Sequence, residues 1–305
     1  KSIFQLYMKI YDCFMFFDEE MLLDLRLNIL DKYVDKFVIT EANYMHSGKP
    51  KKLIFDINKY SKFKDKIIYH VVDNKPSNLE NINETDSEKV KAEKQINNSN
   101  KREHYQRDFA INSLKRAEPD DFIIINDLDE IPNLHEINFK KINNKLIYFK
   151  QKMFYYKFNL LHENLLWIGS RACKKKYFIS PQWLRDTKEK KYPFWRFDTI
   201  LSKKKYTNIH YVENGGWHFT NIKLPEEIEK KYLNFLHHYE YEKSGIKLEN
   251  LKEIIKNKKI LYDHSADKRD FKWKNTTTLK KVSLSILPDY ISENQEKYAN
   301  WLESN

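Results

Sequence analysis

Short apolar runs alternate along this chain with amphipathic stretches, the pattern of an α/β protein built on a buried sheet. Ile10 to Phe17 reads as the first strand. Asp18 then suits a helix N-cap, with Glu19 and Glu20 in the first turn and Leu22, Leu25, Ile29, Leu30 and Tyr33 at helical spacing. Phe37 to Thr40 forms a second strand, so the opening is a βαβ unit that crosses over right-handed, and Gly48 with Pro50 marks the turn after it. Ile67 to Val72 reads as a third strand. Asp73 to Asn100 is polar and Asn-rich with little periodicity, which predicts an irregular loop and a candidate lid. Helical spacing returns at Lys101, with Tyr105, Phe109, Ala110, Leu114 and Ala117 on one side.

The next apolar run, Phe122 to Ile125, has no polar alternation, which suits a central strand covered on both faces. It stops at Asn126 and is followed by Asp127, Asp129 and Glu130, before Pro132 ends any continuing ladder. Leu146 to Lys150 and Phe154 to Leu161 are further strand candidates. Pro225 starts a helix with Ile228, Tyr232, Phe235 and Tyr239 in register, and helical segments near Leu248 to Lys256 and Ser292 to Leu302 close the chain. No internal repeat is evident.

Ligands of open α/β sheets gather outside the carboxyl ends of the strands, where the acids of the Asp120 to Pro132 stretch fall. Asp127 and Asp129 are two residues apart, so in an extended segment both carboxylates point the same way. Paired like charges call for a cation between them, and hard oxygen ligands suit magnesium or manganese rather than zinc. A solvated Asp-rich turn is the competing reading. Glu41 stands at the same rim, past the second strand. Arg107 lies at the edge of a packed helix face, where it either snorkels to solvent or meets an anion such as a phosphate.

Between Trp167 and Arg196, Trp167, Trp183 and Trp195 mix with Arg171, Arg185 and Arg196, as in a sugar-binding groove or an aromatic-rich core. The chain has only five glycines, against the roughly 7% of an average protein, so adjacent Gly215 and Gly216 suggest a tight turn or a close ligand approach. His218 follows them, flanked by Trp217 and Phe219; it either packs in the core or completes a metal site begun by the acids.

Composition narrows the classes. The 305 residues are 41% hydrophobic and 15% aromatic with no apolar run long enough to span a bilayer. Two cysteines, Cys13 and Cys173, supply neither a disulfide framework nor a zinc cluster, and a reducing compartment is the default. The net charge of +11 raises nucleic acid as a partner, but the lysines are spread along the chain and would equally serve an anionic substrate or an acidic membrane surface. An opening at Lys1 leaves room for a removed upstream targeting or anchoring segment.

Four blocks, in order, carry a resemblance. They are Tyr11 to Glu19 leading into Leu23 to Leu27, Thr40 to Tyr44 with Gly48 and Pro50, Asp120 to Pro132, and Gly216-Trp217-His218. Together they resemble glycosyltransferase family 17. The resemblance implies one domain over 1–305 of GT-A type, a Rossmann-like nucleotide-sugar-binding domain with a mixed, mainly parallel central sheet and C-terminal helices. The donor-binding half would be about 1–145, and the acceptor half with the C-terminal helices about 146–305. It implies an inverting, metal-dependent transfer of a sugar, N-acetylglucosamine, from UDP to a glycan or glycolipid hydroxyl. Asp127, Asp129 and His218 become the ligands of a Mn2+ or Mg2+ ion, with Asp12, Glu19, Glu41, Arg102, Arg107, Asn126 and Asp127 as donor-binding residues. Trp167, Arg171 and Trp217 are candidates for acceptor binding.

Departure of UDP places negative charge on the diphosphate, which a divalent ion and Arg107 would stabilise, while a carboxylate removes the acceptor proton. Glu163, Asp198 and Glu240, the last in a His238-x-Glu240 element resembling one in bacterial members, are the base candidates. A bacterial or viral member would be cytoplasmic or peripheral at a membrane, and a eukaryotic one would lie in the Golgi lumen behind a trimmed anchor. Three alternatives make different predictions. A nucleic-acid-binding module predicts steeply salt-dependent binding. A metal-dependent phosphohydrolase predicts hydrolysis of simple phosphate esters, and a catalytically inactive nucleotide-sugar-binding protein predicts UDP binding without transfer.

Overall fold

The structure, a computed structural model, describes residues 8–190, 192–193, 195–234, 241–242, 244–260, 262 and 277–304. Strands β1 (Ile10–Phe16), β2 (Lys36–Ala42), β3 (Ile67–Val72) and β4 (Phe122–Ile125) lie parallel, in the order β3-β2-β1-β4. Beyond β4 the antiparallel strand β9 (Arg171–Lys174) joins them to β6 (Leu146–Phe149) and β10 (Ile209–Val212), which completes a mixed seven-stranded sheet. A second, five-stranded sheet runs from β5 (Glu130–Pro132) through β11 (Gly216–Thr220), β7 (Gln151–Tyr155) and β8 (Leu160–Trp167) to an edge strand at Lys280–Lys281.

Alternation along β1 sends Phe14 and Phe16 into the core beneath helix α1 (Glu20–Leu30). Tyr11 and Cys13 go to the opposite core with Ala110, Leu114 and Leu184. Both faces of the central strands are thus covered, as their largely apolar runs require. Burial raises both cysteine thiols well above their ordinary range, and neither forms a disulfide. No helix among the described residues is long and apolar enough to cross a membrane.

Several elements differ from the sequence reading. The polar stretch expected to be a loop is helical from Glu88, within α2 (Glu88–Asp108), and the Ser87 side chain caps it by accepting from the Val90 amide. Its buried side is polar. Asn98, Ser99, Gln106 and Arg107 face inward, and Asn98 both donates to and accepts from the Glu80 backbone, at 2.8 and 2.7 Å, so no apolar period marks the helix before Lys101. The turn after it, Phe109–Arg116, is 3-10 rather than α. Glu19, not Asp18, occupies the N-cap position of α1 without a side-chain cap, because the Asp18 carboxylate is drawn to Lys223. Pro132 is the last residue of the short strand β5, so the ladder ends there as the sequence suggested. The expected strand from Phe154 to Leu161 is broken by Tyr156, whose φ is +63°, and becomes the reversal between β7 and β8. Ser292 to Leu302 is not one helix: a short helix at Asp289–Glu293 reaches into it, and a 3-10 turn follows at Ala299–Trp301. Helix α5 (Pro225–Tyr232) starts at the expected proline; Phe235 and Tyr239 lie outside the described residues.

Candidate active site

Strand β4 delivers the chain to Asn126 at the carboxyl edge of the parallel strands, and a buried polar network holds the turn that comes next. Asp12 of β1 accepts from Arg26 of α1 at 2.8 and 2.6 Å and from the Asn126 side chain at 2.6 Å. The remaining Arg26 nitrogen donates to the carbonyls of Glu130, Leu128 and Asp127 at 2.7, 3.2 and 3.3 Å. Arg26 and Asp12 are both fully buried. They fix the backbone on which the acids stand, and neither lines the cavity that the acids face.

That backbone is a turn, not an extended segment, closed by the Glu130 amide donating to the Asp127 carbonyl at 3.0 Å. The two aspartates therefore meet different side-chain cations. Asp127 receives Arg107 at 3.1 Å and Arg185 at 2.8 Å. Asp129 lies 3.5 Å from His218 Nε2 and 4.0 Å from Lys231 Nζ. Burial works against the charge on both carboxyls. The arginines, Arg185 most, nevertheless hold Asp127 well below the usual carboxylate range, and His218 then Lys231 hold Asp129 below it. Behind Asp127, the buried Glu130 accepts from Arg185 at 2.7 and 3.1 Å, from Trp167 Nε1 at 2.6 Å and from the Asp127 amide at 2.8 Å.

In front of the turn opens a cavity of about 240 Å3. Its apolar wall is Met15, Phe16 and Phe17; its polar groups are Glu19, His46, Glu103, Gln106, Asp127, Asp129, Lys231 and Asn234. Arg107 and Arg185 stand behind Asp127, so four carboxylates face the cavity against Lys231 and His46. An acid-rich floor of this kind is suited to a cation.

The expected site residues separate into groups. Asp127, Asp129 and Glu19 line the cavity, and Arg107 and His218 contact its acids. His218 Nε2 shares a 2.8 Å hydrogen bond with Thr220, Nδ1 has no partner among the described residues, and the Trp167 ring lies 5.2 Å away. Trp217 points to the other face of β11, where Nε1 donates to the Ile286 carbonyl at 2.7 Å and the ring lines a separate cavity of about 530 Å3 with Tyr33 and Tyr290. Glu41 is buried, accepting from Lys51, the amides of Ile54 and Phe55 and the Tyr69 hydroxyl, so it secures the loop after β2. Arg102 donates to the His46 carbonyl at 3.0 Å, under Gly48. Arg171 holds the chain after helix α3 (Pro181–Asp186) through the Arg185 carbonyl and Glu189, each at 2.5 Å. Glu163 and Asp198 are exposed and paired away from the cavity, with Lys280 at 2.6 Å and with Arg196 and Lys205 each at 2.7 Å. Glu240 and His238 lie outside the described residues.

Glu103, Gln106 and Lys231 were not singled out from the sequence, and Arg185 was named only among the residues of a possible sugar-binding groove, not beside the acids. Arg185 carried the only local signal. Ser180 caps α3 by accepting from the Trp183 amide, and Gln182 and Arg185, three apart, share one helix face toward Arg107 and Asp127.

Among the described residues, no three His, Cys, Asp or Glu side chains are gathered so as to hold a metal ion by themselves. Asp129 and His218, 3.5 Å apart with Asp127 beside them, could contribute donors to a magnesium or manganese ion only if substrate phosphate oxygens supplied the rest, since both Asp127 oxygens already accept from arginines. A sequence model of glycosyltransferase family 17 matches residues 2–305, which is essentially the whole chain. The chain belongs to glycosyltransferase family 17. No curated protein sequence matches it. Family 17 membership makes the chain a glycosyltransferase, which uses a sugar donor and an acceptor, and makes its acid-floored cavity the candidate donor site.

Proposed function

We propose that this family 17 chain is an inverting transferase of GT-A type that moves N-acetylglucosamine from UDP-N-acetylglucosamine to a hydroxyl of a glycan or glycolipid. The observation that carries the proposal is the Asp127–Asp129 turn, set at the carboxyl end of a central strand and facing a cavity through two separately balanced carboxylates. The parallel β3-β2-β1-β4 half-sheet with an antiparallel strand beyond it supports the GT-A assignment.

Asp129 and His218, with Asp127, would hold the divalent ion, manganese or magnesium, whose chemistry is to neutralise the departing diphosphate. The protein's own part is electrostatic. Arg107 and Arg185 keep Asp127 ionised and immobile, so no rearrangement is needed as negative charge develops on the leaving group. Lys231, 4.0 Å from Asp129, stands at the same cavity as a cation for the diphosphate. The apolar wall of Met15 to Phe17 excludes water from one side, which limits hydrolysis of the donor. Removal of the acceptor proton needs a carboxylate within reach. Glu103 is tied to Arg107 at 2.6 Å, so among the described cavity acids Glu19, 3.5 Å from Lys223, is the candidate base.

The test is UDP release from a panel of nucleotide sugars with manganese, magnesium or EDTA. Release confined to UDP-N-acetylglucosamine, and lost with EDTA and with Asp129→Ala, supports the proposal. Absence of UDP release from every donor with either metal refutes it.

A further inference from the structure

The three most exposed large apolar side chains among the described residues lie within seven positions: Trp195 at 63%, Phe197 at 80% and Leu201 at 91%. Such exposure leaves most of their apolar surface open to solvent. They sit on a loop that leaves α3 and is closed at its base, where the Lys188 amide donates to the Lys204 carbonyl at 2.7 Å. Arg171 binds Glu189 at 2.5 Å, Tyr211 donates to the Glu189 carbonyl at 2.9 Å, and Trp183 Nε1 donates to the Lys203 carbonyl at 2.6 Å. A firmly anchored base thus carries an apolar tip, with helix α4 (Asp198–Leu201) ending in the most exposed leucine.

Charge narrows the occupant. Residues 188–205 carry lysines and arginines well in excess of their two acids, Glu189 and Asp198. Both acids are already paired, Glu189 with Arg171 and Asp198 with Arg196 and Lys205. The loop therefore offers apolar side chains at its tip within a basic collar. Lys174 to Lys176 and the half-exposed Tyr177 and Ile179 lie close to its base, through Phe178 against Trp183 at 6.4 Å. A sugar would use the aromatic faces but gives no reason to expose a leucine, and a nucleic acid would use the cations but not the apolar tip. An anionic bilayer uses both, burying aromatic and aliphatic side chains at the acyl boundary while lysines meet the headgroups.

We propose that the 188–205 loop docks the protein on an anionic membrane surface by inserting Phe197 and Leu201, with Trp195 at the interface. The proposal is independent of the reaction. It bears on the acceptor because Arg185, at the end of α3, ties the start of the loop to Asp127 at 2.8 Å, so a docked loop would hold the catalytic cavity beside lipid-linked substrates.

The experiment is flotation of the full chain with phosphatidylcholine vesicles, with and without phosphatidylglycerol. Wild type should float with the anionic vesicles and progressively less as salt is added. Phe197→Ser/Leu201→Ser should reduce partitioning by roughly tenfold or more, because two largely exposed side chains lose their insertion energy. Lys190→Gln/Lys203→Gln should weaken only the phosphatidylglycerol-dependent part. Unchanged circular dichroism checks that these surface variants fold. Three outcomes would overturn the proposal: wild type that floats with neither vesicle, a Phe197→Ser/Leu201→Ser variant that floats like wild type, or a lipid-free dimer that the same variant splits, which would make a second copy the occupant.

Discussion

Arg185 offers the sharpest perturbation, because it serves two carboxylates at once and is itself well shielded. Replacing it with Met keeps the length of the stem and removes 2.7, 2.8 and 3.1 Å contacts to Glu130 and Asp127. Glu130 is then left buried, 1% exposed, with Trp167 and the Asp127 amide as donors but no cation. Breaking a buried ion pair from one side costs about 3–5 kcal/mol. The surviving donors to Glu130, and the one-third exposure of Asp127, which also keeps Arg107, place Arg185→Met at the low end, about 3 kcal/mol. For a chain of this size that is a fall of roughly 6 °C in melting temperature. Differential scanning calorimetry near neutral pH measures it. Glu130→Gln in the same chain tests the cause, since neutralising the stranded acid should recover roughly 1 kcal/mol or more of the loss. A fall under roughly 2 °C, or strict additivity of the two substitutions, would refute the assignment of Arg185 as the ion that neutralises this turn.

Acid sensitivity follows from the depressed carboxyls of Asp127 and Asp129. Their folded values lie below the ordinary Asp value of about 3.9, so their stabilisation is complete above about pH 5 and is lost as pH falls through and below 4. Melting temperature should drop steeply there, and Asp127→Asn should make the profile shallower; an unchanged slope would deny Asp127 its role. Gly169→Ala should destabilise the protein and alter tryptophan fluorescence, because a Cβ there falls on the Glu130 carboxylate and the Trp167 indole; native melting and emission would contradict the packing. Cys13 and Cys173 should resist a thiol reagent in the native protein and react together on unfolding in urea, since both thiols are buried and raised.

Periodicity and composition by themselves determined the central layers of this protein. Apolar runs beginning at Ile10, Phe37, Ile67 and Phe122 locate four parallel strands; the run is unbroken only at the fully buried Phe122–Ile125, because a strand buried on both faces must be apolar at nearly every position. The acids after Phe122–Ile125 stood out as a candidate site, because charge is unexpected directly after a buried strand. Helix α2 was not legible before Lys101, because the inward residues there, Asn98 and Ser99, are polar and leave no apolar stripe to find.

Tertiary structure alone decided how the charges divide. Asp127 and Asp129 are neighbours in sequence, yet a turn held by Arg26 sends one to Arg107 and Arg185 and the other to His218 and Lys231. Asp12 and Glu41 were expected to bind the donor and Arg26 was not singled out, and only their burial shows that they secure the backbone from beneath. Trp217 and His218, adjacent in one motif, serve opposite faces of a strand because side chains alternate along it. Local pattern specifies which residues are strand or helix. Which charge meets which is set by contacts between residues as far apart as Arg26 and Glu130, and no local pattern carries that information.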